Sequence, residues 1–269
     1  MMAEDDILVA KARRGEPLSD VEIIDAHGHL GPYGGFYVPR GEAKGMVEMM
    51  DEVGIDAVCV SSHTSIASDW KVGNDLTAAA EKEFPGRFLP YATVNPTFPE
   101  EVTEELERCF GELGMRMIKL HPSRHNYPLD GPNYLPVYEF AKKHRALILS
   151  HTWETSATCN VETALKVADR HPEVNFLMGH SGGPAGYEKM MQVAKERENV
   201  YLDLACSGTR MGQVEMFVEE AGAEKVLYGS DVSFLGAPPQ LGKVVFARIS
   251  LEDKKKILAE NLKRLTRTP

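Results

Sequence analysis

The sequence predicts an α/β fold, a single barrel of eight parallel strands with helices between them. Eight short apolar runs recur along the chain, separated by longer segments whose apolar residues have helical spacing. Several of these segments end at Gly or Pro, which stop helices. Because parallel strands require a crossover connection, eight such units close into a (β/α)₈ or TIM barrel. A doubly wound open sheet is the rival fold, but the Gly-x-Gly-x-x-Gly turn expected there is absent from the sequence.

The element boundaries follow from the same pattern. The predicted strands are Ile23–His27, Ala57–Ser61, Phe88–Val94, Met115–His121, Ala146–His151, Asn175–His180, Val200–Ala205 and Val226–Ser230. The predicted helices are Ala43–Val53, Asn74–Phe84, Pro99–Leu113, Leu135–His144, Val161–Arg170, Ala185–Arg197, Gly212–Ala221 and Gln240–Ile249, with an additional C-terminal helix over Leu251–Leu265. Residues 1–20 form an N-terminal lead-in, and no linker interrupts the chain, so residues 1–269 are expected to be one domain.

The composition is ordinary for a soluble globular protein, with 43% hydrophobic and 26% charged residues. The net charge of −10 argues against nucleic-acid and anionic-membrane partners, which require an excess of Lys and Arg. The 4 cysteines are scattered without a Cys-x-x-Cys, which suits a reducing compartment. Neither an apolar signal segment nor a run of about 18–20 apolar residues is found. We therefore expect a cytoplasmic protein with a small-molecule substrate, and the sequence leaves homo-oligomer formation open.

The segment Glu22–Gly31 carries a His-x-His pair, His27 and His29, at the end of the first predicted strand. Side chains alternate across a strand, so both imidazoles and Asp25 are expected to point the same way. Two imidazoles side by side at a strand end, before a Gly-rich loop, make half of a metal site. The alternative for this pair is two histidines that are hydrogen-bonded in a core.

Polar residues capable of chemistry end most of the predicted strands. In a barrel of this kind the active site lies at the carboxyl ends of the strands. Six of the nine histidines, one lysine and one aspartate fall there. They are His27 and His29 (first strand), His63 (second), Lys119 and His121 (fourth), His151 (fifth), His180 (sixth) and Asp231 (eighth). Isolated core histidines would not collect at strand ends, so this distribution predicts an active site.

This pattern resembles the amidohydrolase superfamily, and the local sequence is closest to its amidohydrolase-2 branch. The shared features run from about Asp25 to Leu265: Asp-x-His-x-His at the first strand, Ile-Lys-Leu-His-Pro at the fourth, single histidines ending the fifth and sixth, Tyr-Gly-Ser-Asp at the eighth, and a final Asn-x-x-Arg-Leu. Each motif alone is weak, whereas five in this order and spacing are specific. The residues that follow His151 and Asp231 depart from the branch, and they lie where a substrate would bind.

The resemblance implies one divalent metal ion held by His27, His29, His151 and Asp231. Zn²⁺ is the first choice for nitrogen and oxygen ligands with an open position, and Mn²⁺, Co²⁺ and Fe²⁺ are alternatives. Asp231 is implied to have a second, catalytic role, in which it takes a proton from the water that the metal activates. His180 is implied to orient that water or to polarise a substrate oxygen, with ligation of a second metal as the alternative.

Other residues at the rim are candidates for a second metal or for the substrate. In binuclear relatives a lysine on the fourth strand is carboxylated and bridges two metals, whereas Lys-Leu-His-Pro accompanies a single metal. The candidates for second-metal or substrate contacts are Lys119, His121 and His63, and those for substrate binding are Arg124, Trp153 and Arg210. A pair of arginines at this rim could clamp a substrate carboxylate.

The main expectation is a metal-dependent hydrolase that acts on a C–N or C–O bond of a small substrate, such as a lactone, a cyclic amide or a carboxylate-bearing compound. The alternative is a metal-dependent non-oxidative decarboxylase of a small aromatic or unsaturated acid, since the branch includes decarboxylases with the same ligands. A non-catalytic metal-binding barrel is the third hypothesis, and it would be expected to lack Asp231 or His180. A substrate carboxylate held away from the metal by arginines would favour decarboxylation.

Overall fold

Eight parallel strands form a nearly closed barrel in the computed structural model, which describes residues 7–266. The strands are β1 (Ile24–Leu30), β2 (Ala57–Ser62), β3 (Phe88–Thr93), β4 (Met117–Leu120), β5 (Leu147–His151), β6 (Phe176–Gly179), β7 (Val200–Asp203) and β8 (Val226–Leu227). The helices are α1 (Ile7–Arg14), α2 (Ala43–Val53), α3 (His63–Ala67), α4 (Trp70–Glu83), α5 (Pro99–Gly111), α6 (Pro122–His125), α7 (Leu135–His144), α8 (Val161–Arg170), α9 (Tyr187–Glu196), α10 (Gln213–Ala221), α11 (Ala237–Val245), α12 (Leu251–Lys255) and α13 (Asn261–Thr266). A π-helical segment, Lys256–Glu260, joins α12 to α13.

The strands lie in chain order, and each pairs in parallel with the next. The barrel closes where the chain beyond β8 meets β1. The Ala26 amide donates to the Tyr228 carbonyl at 2.8 Å, and the Asp231 amide donates to the His27 carbonyl at 2.7 Å. Gly28 lies at this seam, where a Cβ atom would be 2.6 Å from a Val58 methyl group. Glycine between the two histidines therefore lets β1 lie close to its neighbours on both sides.

The core has two parts, one between the strands and the surrounding helices and one inside the barrel. The interior part includes Tyr91, Leu149 and Leu177, which point inward from different strands. Leu262 and Leu265 of α13 belong to the same cluster. The C-terminal helix therefore contributes to the core inside the barrel.

The predicted barrel is confirmed, and every predicted strand and helix overlaps an observed one. Boundaries differ where hydrogen bonding changes partner: β8 ends at Leu227 rather than Ser230, because the Tyr228 amide donates to the Ile257 carbonyl at 2.9 Å. Helix α4 begins earlier than predicted, since the Asp69 side chain caps it by accepting from the Val72 amide at 3.0 Å. The predicted C-terminal helix comprises α12, the π-helical segment and α13.

Three observed helices have no predicted counterpart. Helix α1 lies within the predicted lead-in and buries Leu8 and Val9 in the core. The short helices α3 and α6 directly follow β2 and β4, so His63 is the first residue of a helix rather than part of a strand. Residues 1–6 of the lead-in and residues 267–269 lie outside the described residues. Within residues 7–266, no helix combines the length and the apolar character that crossing a membrane would require.

Candidate active site

Two histidines of β1 and one aspartate from beyond β8 come together at the carboxyl end of the barrel. The ligand atoms of His27, His29 and Asp231 lie within 4.8 Å of one another. Asp231 Oδ1 is 3.1 Å from His29 Nε2 and 3.7 Å from His27 Nε2, and all three residues are buried. Two imidazole nitrogens and a carboxylate oxygen converging in this way suit a divalent transition metal. The predicted cluster of metal-binding residues is therefore present, and its donor set fits such an ion.

The other ring nitrogens of the two histidines have their own partners. His27 Nδ1 donates to Asp203 Oδ2 at 2.7 Å, and His29 Nδ1 lies 3.1 Å from Ser61 Oγ. A hydrogen bond at Nδ1 fixes the ring, and where Nδ1 donates, as His27 Nδ1 does to Asp203, the Nε2 lone pair is left for a metal. Both rings are thus held in an orientation that directs Nε2 toward Asp231.

Asp203, at the end of β7, is a site residue that the sequence analysis missed. Its carboxylate is buried and accepts from His27 Nδ1, from the His180 amide at 2.9 Å and from the Ala205 amide at 3.0 Å. Space for it depends on Gly229, where a Cβ atom would be 2.1 Å from Asp203 Oδ1. The available signal was a carboxylate at the end of a buried strand, at the same rim as the histidines.

His180 and Asp231 both have left-handed backbone, with φ of 61° and 63°. This conformation is uncommon for residues other than glycine and often marks functional positions. His180 Nδ1 donates to the Ala205 carbonyl at 2.5 Å, so Nε2 is the nitrogen left for a ligand. The rings of His180 and His27 are 4.9 Å apart. His180 is therefore adjacent to the cluster, and hydrogen bonds hold both its ring and its backbone amide.

His151, the fourth predicted ligand, lies next to the cluster but outside the group of three. Its ring stacks on that of His121 at 4.2 Å and meets His180 edge-on at 4.8 Å. It does not belong to either group of three closely spaced donors found among residues 7–266. The second of these groups joins His27, His180 and Asp203, which are already linked by the hydrogen bonds described above.

Lys119, predicted as a second-metal or substrate contact, lies beside the metal-binding cluster. It is fully buried, and its Nζ is 2.8 Å from His27 Nε2. Burial lowers the pKa of Lys119 to about 8, against the opposing effect of the Asp231 and Asp203 charges.

Asp25 is also fully buried and accepts from the Ser230 amide at 3.0 Å, which ties β1 to the segment after β8.

The protonation states of the cluster suit a metal. Burial lowers the pKa of His29 to about 4, with the hydrogen bond to Asp231 opposing it. Burial alone would raise the pKa of the Asp231 carboxyl, but the hydrogen bond from His29 and the charges of His180 and His27 hold it well below its usual range. Neutral imidazoles beside a carboxylate are the forms that ligate metal ions.

A cavity of about 320 Å³ opens above the cluster. Of the predicted site residues, it is lined by His29, His63, His121, Arg124, His151, Trp153, His180 and Asp231. Tyr33 and Phe234 add aromatic wall, and the Arg124 guanidinium lies 5.5 Å over the Tyr33 ring. Arg210 instead lines two smaller cavities, of about 210 and 140 Å³, on the loop before α10. Only Arg124 of the predicted arginine pair therefore reaches this cavity.

Comparison with known families decides which kind of barrel this is. The family model described as Amidohydrolase, that of the amidohydrolase-2 family, matches residues 24–267. The chain belongs to this family. The resemblance drawn from the sequence motifs is confirmed, and the match extends from β1 into α13.

The similar proteins include several decarboxylases. A 2-amino-3-carboxymuconate-6-semialdehyde decarboxylase of Dictyostelium discoideum is 32% identical over 81 residues, which are 30% of this amidohydrolase and 23% of that relative. A gamma-resorcylate decarboxylase of Polaromonas sp. strain JS666 is 25% identical over 284 positions, covering 82% of this chain and 87% of the relative. A solved dihydroxybenzoic acid decarboxylase from Polaromonas sp. JS666, with bound manganese and the inhibitor 2-nitroresorcinol, has a TM-score of 0.76 at 20% identity and covers 92% of this chain and 97% of its own. That structural likeness shows the shared fold.

Proposed function

We propose that this amidohydrolase is a metal-dependent, non-oxidative decarboxylase of a small aromatic or unsaturated acid. The relative that covers most of the chain is a decarboxylase of an aromatic acid, which favours the alternative reaction predicted from the sequence over hydrolysis. Two of the similar solved structures are also decarboxylases of dihydroxybenzoic acids, which is consistent with this choice. The substrate is a small molecule, in keeping with the size of the cavity.

Arg124 is the feature of the site that carries this proposal. It is exposed, whereas His29 and Asp231 are buried, and all three line the cavity. Among residues 7–266 no ion pair to Arg124 is found, so its guanidinium is free to bind an anionic group. We place the substrate carboxylate at Arg124, in the exposed part of the lining, rather than at the buried His29 and Asp231. Such a separation suits loss of CO₂ better than attack on a carbonyl at the metal.

The aromatic lining suits a planar acid. Trp153, His151 and His121 have nearly parallel rings, with interplanar angles of 10° and 11° between successive rings. Phe234 and Tyr33 lie 5.0 Å apart elsewhere in the lining. Flat apolar walls with a few polar groups are typical of sites for small aromatic ligands.

Decarboxylation replaces a C–CO₂⁻ bond by a C–H bond, so it consumes one proton for each CO₂ released. Asp231 is a carboxylate at neutral pH and lines the cavity, so we assign it the transfer of a proton from solvent to the carbon that loses CO₂. His180 Nε2 is assigned to orient the substrate oxygen next to that carbon. A divalent metal bound by His27, His29 and Asp231 would supply positive charge that stabilises the anionic substrate.

The identity of the metal is part of the proposal. Zn²⁺ follows from the nitrogen and oxygen donors, and Mn²⁺ is the metal bound in the similar decarboxylase structure. His151 is proposed as a residue that would also hold the metal, because its ring contacts that of His180 beside the cluster.

The test is release of ¹³CO₂ from aromatic acids labelled at the carboxyl carbon, with either Mn²⁺ or Zn²⁺ supplied. We expect at least one planar acid to lose CO₂. Arg124→Gln should raise its KM about tenfold or more, because hydrogen bonds to charged groups are worth about 1.5–3 kcal/mol. Arg210→Gln is the matched control, since Arg210 lies outside the cavity, and it should behave as wild type.

Two results would contradict the proposal. The first is that none of the labelled aromatic acids releases CO₂ while a lactone or cyclic amide is hydrolysed. That result would favour the hydrolase expected from the sequence. The second is that Arg124→Gln and Arg210→Gln have the same effect on KM, which would remove Arg124 from substrate binding.

A further inference from the structure

His63 is held rigidly beside the metal-binding cluster. Ser62 caps α3 by accepting from the Ser65 amide at 2.9 Å, which fixes the start of the helix and the position of His63. The His63 ring stacks on that of His29, with centroids 5.0 Å apart. Its Nδ1 donates to the Gly31 carbonyl at 2.9 Å. The position, orientation and tautomer of this ring are therefore all determined by its neighbours.

The second nitrogen of His63 has no such partner. Because Nδ1 carries the proton that is donated to Gly31, Nε2 is a hydrogen-bond acceptor. This nitrogen is buried, and no donor among residues 7–266 reaches it. A buried acceptor without a donor is destabilising, and native structures contain few of them. His63 is also outside both groups of closely spaced metal-ligand atoms in the described part of the chain.

The surroundings of His63 indicate where the missing donor comes from. The ring lines the 320 Å³ cavity together with Arg124 and Asp231, so a molecule bound there lies against it. Its other ring neighbours are Tyr33 at 5.3 Å and Phe234 at 5.9 Å, and neither donates a hydrogen bond to Nε2. The cavity therefore combines a cation, an aromatic wall and, at His63 Nε2, a buried neutral acceptor that lacks a donor.

We infer that His63 Nε2 accepts a hydrogen bond from a hydroxyl or N–H group of the substrate and is a specificity-determining residue. A substrate that satisfies both Arg124 and His63 carries an anionic group and a separate hydrogen-bond donor, as a hydroxylated aromatic acid does. This inference rests on the proposed function for the location of the substrate. Its prediction concerns binding selectivity, which is measured without turnover.

The experiment compares acids that differ only in the donor. Dissociation constants are measured by calorimetry for the three hydroxybenzoates and for the matching methoxybenzoates, which keep the oxygen but lack its proton. A single neutral hydrogen bond corresponds to a preference of about 3- to 10-fold. We expect the wild-type protein, with its metal bound, to prefer at least one hydroxy acid over its methoxy partner by this factor.

Two substitutions separate the functions of the two ring nitrogens. His63→Asn can keep a donor to Gly31 but lacks an acceptor at the Nε2 position, so it should lose the hydroxyl preference. His63→Gln can place its oxygen near the Nε2 position, so it should retain part of the preference. Metal content is measured on each variant, because His63 contacts the ring of His29.

His125→Asn is the matched control. His125 is another buried histidine with an unpartnered ring nitrogen, Nδ1, but it does not line the cavity. This variant should keep the wild-type preference.

A hydroxyl preference that persists in His63→Asn would overturn the inference, as would binding of none of these acids to the wild-type protein. Equal losses of affinity for hydroxy and methoxy acids in both His63 variants would indicate a structural role only and would also overturn it. CO₂ release with an unchanged preference in His63→Asn refutes the inference and leaves the proposed function standing. Loss of the preference in His63→Asn without any CO₂ release supports the inference and refutes the proposed function.

Discussion

Asp203→Asn is the substitution whose consequences follow most directly from the geometry. Asp203 Oδ2 accepts from His27 Nδ1 and from the His180 amide, and Oδ1 accepts from the Ala205 amide. An asparagine side chain has one oxygen and one NH₂ group. In either orientation the NH₂ group faces at least one of these N–H donors, and that donor loses its acceptor.

The expected magnitude has two parts. Leaving one buried N–H unpaired costs about 1–3 kcal/mol of folding stability, so we expect a fall of several degrees in Tm. If the NH₂ group faces His27, the ring must carry its proton on Nε2 in order to accept at Nδ1, and Nε2 can then no longer bind a metal. Loss of such a partner typically lowers metal affinity about 10- to 100-fold.

The assay is competition between the protein and a metal chelator, combined with thermal unfolding of the metal-free protein. Glu105→Gln is the control, because Glu105 is equally buried but bonds Arg108 and Asn74 on the helices outside the barrel. We expect the control to lose stability and keep wild-type metal affinity. Metal affinity in Asp203→Asn equal to that of wild type would refute the argument that Asp203 orients His27 for a metal.

Three further substitutions test neighbouring parts of the site and of the fold. Asp231→Asn should lower turnover about 10²- to 10⁴-fold with much of the metal retained, because an amide cannot accept the proton; near wild-type turnover at equal metal content would exclude the assigned role. His180→Ala should keep the metal but raise the barrier by ~2–4 kcal/mol, whereas metal lost together with the rate would make His180 a ligand. His125→Asn should alter acid stability. Burial lowers the pKa of His125 to about 4, so below its unfolded value of about 6.5 the unfolded chain binds more protons. The wild type should therefore lose about 3 kcal/mol relative to the variant between pH 7 and pH 4. Urea unfolding at both pH values measures this, and equal losses in the two proteins would contradict it.

The barrel could be predicted because its strands are buried on both faces and so form continuous apolar runs. β6, Phe176–Gly179, is buried throughout and is such a run. Helix α1 was missed because its short apolar stripe has meaning only once Leu8 and Val9 are packed in the core. Isolated helices of this length are unstable, so tertiary packing rather than local sequence determines that α1 forms.

The candidate site could be predicted where strand ends alone place a residue. His27, His29 and Asp231 belong to this class, because the ends of parallel strands meet at one rim. Asp203 occupies an equivalent position, but a single carboxylate without a neighbouring motif gave no reason to select it. The different positions of Arg124 and Arg210 depend on the paths of two loops, which the pattern of apolar residues does not determine.

One bound metal is expected to support loss of CO₂ from an aromatic acid, and a single experiment measures both the metal and the CO₂. Metal-free protein receives increasing amounts of Mn²⁺ or Zn²⁺, and release of ¹³CO₂ from a carboxyl-labelled acid is followed by mass spectrometry. We predict that the rate rises with added metal and levels off at about one equivalent per chain, as expected for the cluster of His27, His29 and Asp231. CO₂ release that needs no metal, or that levels off only at two equivalents with a carboxylated Lys119, would contradict this account.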